Sequence, residues 1–578
     1  MRLKSYILGI AAVSAFAADA AAYTLEFTNG RMPADVTVDN LNGAVPSNTG
    51  YRRGWTNRGW TIDQFGDKGY VAICPTYFKD DNTCESSITL PEQSVADTDM
   101  VRWEARAVYA PFEETYRIEA RENGSEAWNL IGEYTASASW ETHVLPLAGY
   151  AGKNVSIRIV CTSRNGYMLA LAGMFVGTPD DIRLVADNNT RRYFGSEVAE
   201  SGLADVEVNV FNSGITLESG SIVCLSDGTE TSRIDITEPW PTGESRRFHL
   251  AGDARMNVTT AYSVVYRPAE GEDVPLAAGK FFTSHFVRNI LVDKATGMWC
   301  TNCTAGVIEM ENLEREFGPN LIGVETHTAG SSMDVLQNPQ YYSQIQNYAV
   351  PMFMIDRIRA SRDDNTGKFG AYYDREVNFR VALRSITVGS DNSLAVTAEV
   401  ESASDIDNSN GRYRIGYVLT ADFHEEDSKI YFQQNGCSLP RHRQFYYLPS
   451  RIMSNLIWFH NVSLTSTDAF TGIEGSIPST LNTGSSYPYT WNIPCPPLLD
   501  DVNKARVNIF VLDTQTGQIE NACAGRPGDL SEVPEIPVTD SAAPEGIYTI
   551  QGFRLDCRTD ELPAGLYIIN GKKIMIKH

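Results

Sequence analysis

The chain has 578 residues, with 48 Lys and Arg against 72 Asp and Glu, so its formal net charge is −24. That balance argues against nucleic acid or an anionic membrane surface as partner, because both attract basic side chains. A hydrophobic content of 42% with 21% charged residues excludes a chain disordered throughout, and the length accommodates about four domains.

Residues 1–22 have the layout of a secretory signal peptide: basic Arg2 and Lys4, an apolar stretch from Tyr6 to Phe16, then mostly small residues from Ala17 to Ala22. Cleavage after Ala17, Ala20 or Ala22 would leave small residues at the recognition positions. The apolar stretch is too short to span a bilayer and no later window is long enough, so no transmembrane helix is expected. The mature protein is expected to be exported, at the outer membrane or cell surface or released, where thiols meet an oxidising environment.

The expected fold class is multidomain and mainly β, with β-sandwiches around one α/β domain. From 23 to 177 short runs alternate with period 2, as in Val101–Ala107, Tyr116–Ala120 and Val155–Val160, which reads as an antiparallel β-sandwich. Gly54-Trp55-Thr56, Leu90-Pro91 and Met168-Leu169-Ala170-Leu171 give this segment a resemblance to the jelly-roll cleaved-adhesin modules of bacterial surface proteins. The resemblance implies an extracellular glycan or protein as ligand. Residues 178–284 read as an immunoglobulin-like sandwich, with strands around Val206–Val210, Ser221–Leu225 and Tyr262–Tyr266 and no chemistry of their own.

The segment 285–377 differs. Asn289–Asp293 contains the continuous apolar run of a central strand, then comes Cys300-Thr301-Asn302-Cys303. Val307, Met310, Leu313 and Phe317 follow at helical spacing until Gly318-Pro319, and Leu321–Val324 forms a second buried strand. A strand delivers Cys300 to the end of a sheet, and a helix starting at the pair would lower a cysteine pKa there. With Trp299 beside the pair and Pro351 just before another apolar strand, the region resembles the thioredoxin-like superfamily. That resemblance implies thiol–disulfide exchange on protein thiols or disulfides, with Cys300 attacking, Cys303 resolving, and Trp299 and Pro351 shaping the substrate groove. The family's buried proton acceptor falls on Asp293 only with a one-residue insertion, since Lys294 holds the unshifted position.

Two other readings stand beside exchange: Cys300–Cys303 as a structural staple in a binding protein, and a zinc half-site. The second needs a further CxxC or a His pair, which the sequence lacks, so no metal and no cofactor is expected. His327 reads as a lone structural histidine. Among the other eight cysteines Cys74 and Cys84 are the one close pair, and connectivity is undetermined.

Residues 378–526 read as another β-sandwich, 527–545 as a Pro-rich acidic linker, and 546–578 as a compact β-domain with an Asn570-Gly571 hairpin turn. Leu291–Cys303, Ala349–Arg357 and Asn508–Gly517 together resemble the outer-membrane-protein-28-related family of Gram-negative bacteria. Gly546-Ile547-Tyr548 and Leu562–Ile568 with a basic tail resemble a type IX secretion sorting domain, which implies the secretion machinery as a partner.

Overall fold

The structure, a computed structural model, describes residues 22–43, 59–65, 68–76, 83–109, 112–164, 166–186, 191–345, 349–362, 370, 372–424, 431–437, 443–453, 456–529, and the strands at 547–549, 554–555, 565–569 and 572–576. The signal-peptide expectation, apart from residue 22, the Gly54-Trp55-Thr56 motif, most of the linker and the Asn570-Gly571 turn lie outside them. The molecule is mainly β, with several sheets. No described helix is long and apolar enough to cross a membrane. Two compact units are present, one ending at Asp181 and the other running from Ile182 onward.

In the first unit two antiparallel sheets face each other. One orders Glu141–Pro146, Met100–Ala107, Met168–Gly177, Gly69–Pro75 and Thr61–Phe65, with Tyr23–Leu25 also on Met168–Gly177. The other orders Thr37–Asn40, Ser86–Thr89, Asn154–Cys161, Glu114–Glu122 and Asn129–Ala136, with Gln93–Ser94 also on Asn154–Cys161. Period-2 alternation sends Tyr116, Ile118 and Ala120, and across from them Val155, Ile157 and Ile159, into one core. Each such large apolar side chain removed from water stabilises by about 1.5–3 kcal/mol. Trp60 and Trp103 are core residues, the Trp103 indole donating to the Tyr116 hydroxyl at 3.1 Å. Trp128 and Trp140 are only partly buried.

The second unit begins with a smaller sandwich. A three-stranded sheet (Leu184–Ala186, Leu203–Asn212, Ser245–Asp253) and a five-stranded sheet share a core containing Val206, Ile222, Trp240, Val264 and Phe281. After it come β1 (Ile290–Thr296), α1 (Cys303–Phe317), β2 (Leu321–His327), α2 (Pro339–Gln344), β3 (Met352–Ile355) and β4 (Arg359–Ser361). β5 (Tyr413–Phe423), β6 (Phe459–Ser463), β7 (Arg506–Asp513) and β8 (Ile519–Gly525) complete one eight-stranded sheet in the order β4-β3-β1-β2-β6-β5-β7-β8. β1 and β2 are parallel, and β3 and β4 run antiparallel to their neighbours. All seven residues of β1 and of β2 are buried, which is why their sequences read as continuous runs rather than alternating ones.

Strands on both sides of residue 377 therefore share one sheet. The join is the parallel pairing of β2 with β6, reinforced by Thr326 Oγ1 donating to Ser463 Oγ at 3.1 Å. Phe379–Val388, Leu394–Ser402 and Ser486–Ile493 form a separate antiparallel sheet. The four described C-terminal strands make a small antiparallel sheet of their own.

Candidate functional site

β1 ends one turn before the CxxC, and α1 begins at its second cysteine. Cys300 and Cys303 are joined by a disulfide with Cα atoms 5.4 Å apart. α1 buries Met310, Leu313 and Phe317 as the spacing predicts, but Val307 is only partly covered, and Gly306 is among the buried residues of the first turn. A Cβ on Gly306 would stand 2.8 Å from Pro351 Cβ and 3.5 Å from Lys294 Cε. Glycine is what lets the helix close over the proline. The helix stops at Gly318, as expected from Gly318-Pro319.

Pro351 follows a cis peptide bond, and the Val350 carbonyl oxygen lies 3.7 Å from Cys300 Sγ. Cys300, Cys303 and Pro351 are thus brought together. Trp299 packs over Gly297 and Gly330, its indole nitrogen buried without a hydrogen-bond partner among the described residues. Asp293 goes elsewhere. It is buried on the face of β1 away from α1, accepting from the Tyr341 hydroxyl at 2.6 Å and from Arg357 Nε at 3.4 Å. Burial pushes its carboxyl up, against the pull of Arg357. Successive strand residues point to opposite faces, so the neighbour Lys294 points toward α1, where its ammonium donates to Glu325 at 2.6 Å in a buried pair. His327 is tied to Asp334 at 3.0 Å, the structural role expected of it.

A segment with no signal in the sequence covers the cysteines. Gln433 Nε2 donates to the Cys300 carbonyl at 2.8 Å and to that of Gly297 at 3.3 Å. The Gln434 and Gly436 backbone amides donate to the Met298 and Thr301 carbonyls at 2.8 and 2.6 Å. Every carbonyl from Gly297 to Thr301 except that of Trp299 is thereby bound from across the chain. Cys300 is left 5% exposed and Cys303 0%. Residue spacing gives no hint of this cover, because Phe432-Gln433-Gln434 reads as an ordinary polar stretch.

The first unit holds a second cysteine group. Cys74 on Gly69–Pro75, Cys84 just before Ser86–Thr89, and Cys161 ending Asn154–Cys161 converge in its core, and their sulfurs lie within 4.8 Å of one another. Cys74 and Cys84 sulfurs are 3.6 Å apart. Burial pushes the Cys74 and Cys161 thiols up, while hydrogen bonds from Cys161 and then Cys74 hold Cys84 below the usual thiol range. Beside them Glu114, wholly buried, accepts from Thr76 Oγ1 at 2.7 Å and from the Tyr167 amide. Desolvation pushes its carboxyl up to about 7.

No protein-family model matches the chain, and no curated protein matches it. Among solved structures, HBP35 of Porphyromonas gingivalis aligns at 14% identity over 50% of this chain and 97% of that one, with a TM-score of 0.30. The K1 cleaved adhesin domain of Lys-gingipain from Porphyromonas gingivalis W83 aligns at 16% identity over 27% of this chain and 98% of that one, with a TM-score of 0.22. A family 11 carbohydrate-binding module from Clostridium thermocellum aligns at 13% identity over 28% and 97%, with a TM-score of 0.20. Scores this low assign neither fold nor function to the chain.

Proposed function

We propose that this is an exported surface protein that works by binding, with Cys300–Cys303 as a structural staple. The observation that carries the reading is the closure of the disulfide: both cysteines are buried and Gln433 is bonded to the Cys300 carbonyl. Exchange requires a thiolate to approach a sulfur directly, so the covering segment would have to leave first. The first sandwich then makes the contact, with an extracellular glycan or protein as ligand. Its partly exposed Trp128 lies under the guanidinium groups of Arg121 and Arg158, 4.6 and 4.1 Å from the ring centre, which joins an aromatic surface to hydrogen-bond donors.

Thiol–disulfide exchange is the second reading. Pro351 and the Val350 carbonyl beside Cys300, and the order β4-β3-β1-β2 with α1 starting at Cys303, support a thioredoxin-like region and with it membership of the outer-membrane-protein-28-related family. The small antiparallel C-terminal sheet supports the type IX sorting reading, and with it a surface address.

An insulin-reduction assay on the full chain, with Cys300→Ser as control, separates the two. We expect no turnover above the control and a reduction potential below about −300 mV. Turnover that disappears in Cys300→Ser would overturn the staple. For the binding reading, a glycan array and a surface-protein panel should give a ligand whose affinity falls in Trp128→Ala.

A further inference from the structure

We propose that Cys74, Cys84 and Cys161 form a binding site for a thiophilic d10 cation, Zn2+ or Cu+. In a tetrahedral zinc site with Zn–S bonds of about 2.3 Å, ligand sulfurs sit about 3.8 Å apart, whereas a disulfide needs about 2.05 Å. The 3.6 Å between Cys74 and Cys84 matches the first geometry, and the Cys161 sulfur lies within 4.8 Å of both. An odd set of three also cannot be satisfied by a disulfide, which would leave one thiol buried beside the bond.

The three positions are held before any ion arrives. Cys74 pairs with Leu169, and Cys161 pairs with both Ser86 and Tyr116 in its sheet. The Cys84 amide donates to the Ser163 carbonyl at 2.9 Å. Glu114 interacts electrostatically with Cys84 and Cys161, and no Lys or Arg is paired with it among the described residues. Three thiols with a buried carboxyl nearby form a polar group inside an otherwise apolar core, and soft thiolate ligands select a thiophilic cation. Binding is a ligand exchange without redox: each S–H gives its proton to solvent as a metal–sulfur bond forms. Metal ligation would also keep three adjacent thiols from oxidising outside the cytoplasm.

The test uses the full chain, stripped with a chelator under reducing conditions, incubated with ZnCl2 or Cu+, desalted and analysed for metal. About one equivalent is expected, falling at least about tenfold in Cys161→Ser and unchanged in Cys495→Ser. Because Cys161→Ser could disturb the core, Co2+ is also bound to the wild-type chain, where sulfur-to-cobalt charge-transfer absorption with the intensity of three thiolates is expected. Less than about a tenth of an equivalent in the wild type, retention of metal by Cys161→Ser, or a Cys74–Cys84 disulfide in the non-reduced native protein would each overturn the site.

Discussion

The two cysteine groups of this molecule are both buried, yet they were assembled in opposite ways. Cys300 and Cys303 are three residues apart and bonded, and a distant segment of the chain lies against them. Cys74, Cys84 and Cys161 are brought from three separate elements and remain unbonded, beside an acid whose proton burial helps to hold. A local pair can form its bond whatever the rest of the chain does. A group drawn from two strands and the approach to a third exists only when the sandwich around it is complete, so its chemistry reports the fold.

That contrast can be broken first from beneath the pair. Lys294→Ala leaves Glu325 buried without its partner and should cost about 3–5 kcal/mol in urea denaturation, while Lys294→Met with Glu325→Leu should recover most of that. A cost under about 1 kcal/mol for the single change would mean that water already reaches the pair.

Next is the acid beside the trio. Its carboxyl titrates at about 7 in the folded chain against an ordinary value of 4.5, so the folded state keeps a proton that the unfolded chain has released. Stability is therefore full below the ordinary value and falls as pH rises toward 7 and above, by roughly 3 kcal/mol. Denaturation midpoints at pH 5 and pH 8 should differ in the wild type and draw together in Glu114→Gln. Equal slopes in the two proteins would remove Glu114 from the account.

The smallest effect is expected over the pair. Gln433→Ala removes the bonds to the Cys300 and Gly297 carbonyls, costing about 1–2 kcal/mol, and should speed reduction of Cys300–Cys303 by dithiothreitol in a thiol-trapping time course. An unchanged rate would show that the covering segment already opens, which moves the balance toward exchange.

Much of the local structure was legible. Continuous apolar runs marked β1 and β2, helical spacing marked α1, and Gly318-Pro319 marked its end. The CxxC and the proline that faces it are both visible in the sequence. Asp293 lies in β1, but pattern does not tell which face of a strand buried on both sides a residue takes, and the structure puts Lys294 toward the helix instead. Gln433 carried no signal, because a side-chain amide bonding a distant backbone carbonyl has no period. The shared sheet across residue 377 was equally hidden, since which edge a strand pairs with depends on which edges the rest of the fold leaves open.

By itself, then, the sequence determined the acidic balance, the β-rich character, the strand–CxxC–helix–strand order and the residues available for chemistry, since these follow from composition and short-range periodicity. Only the tertiary structure decided that the disulfide is sealed, that Lys294 and Glu325 meet beneath it, and that Cys161 joins Cys74 and Cys84. Those are encounters between residues far apart in the chain, and their energies come from burial that exists only once the sheets have packed.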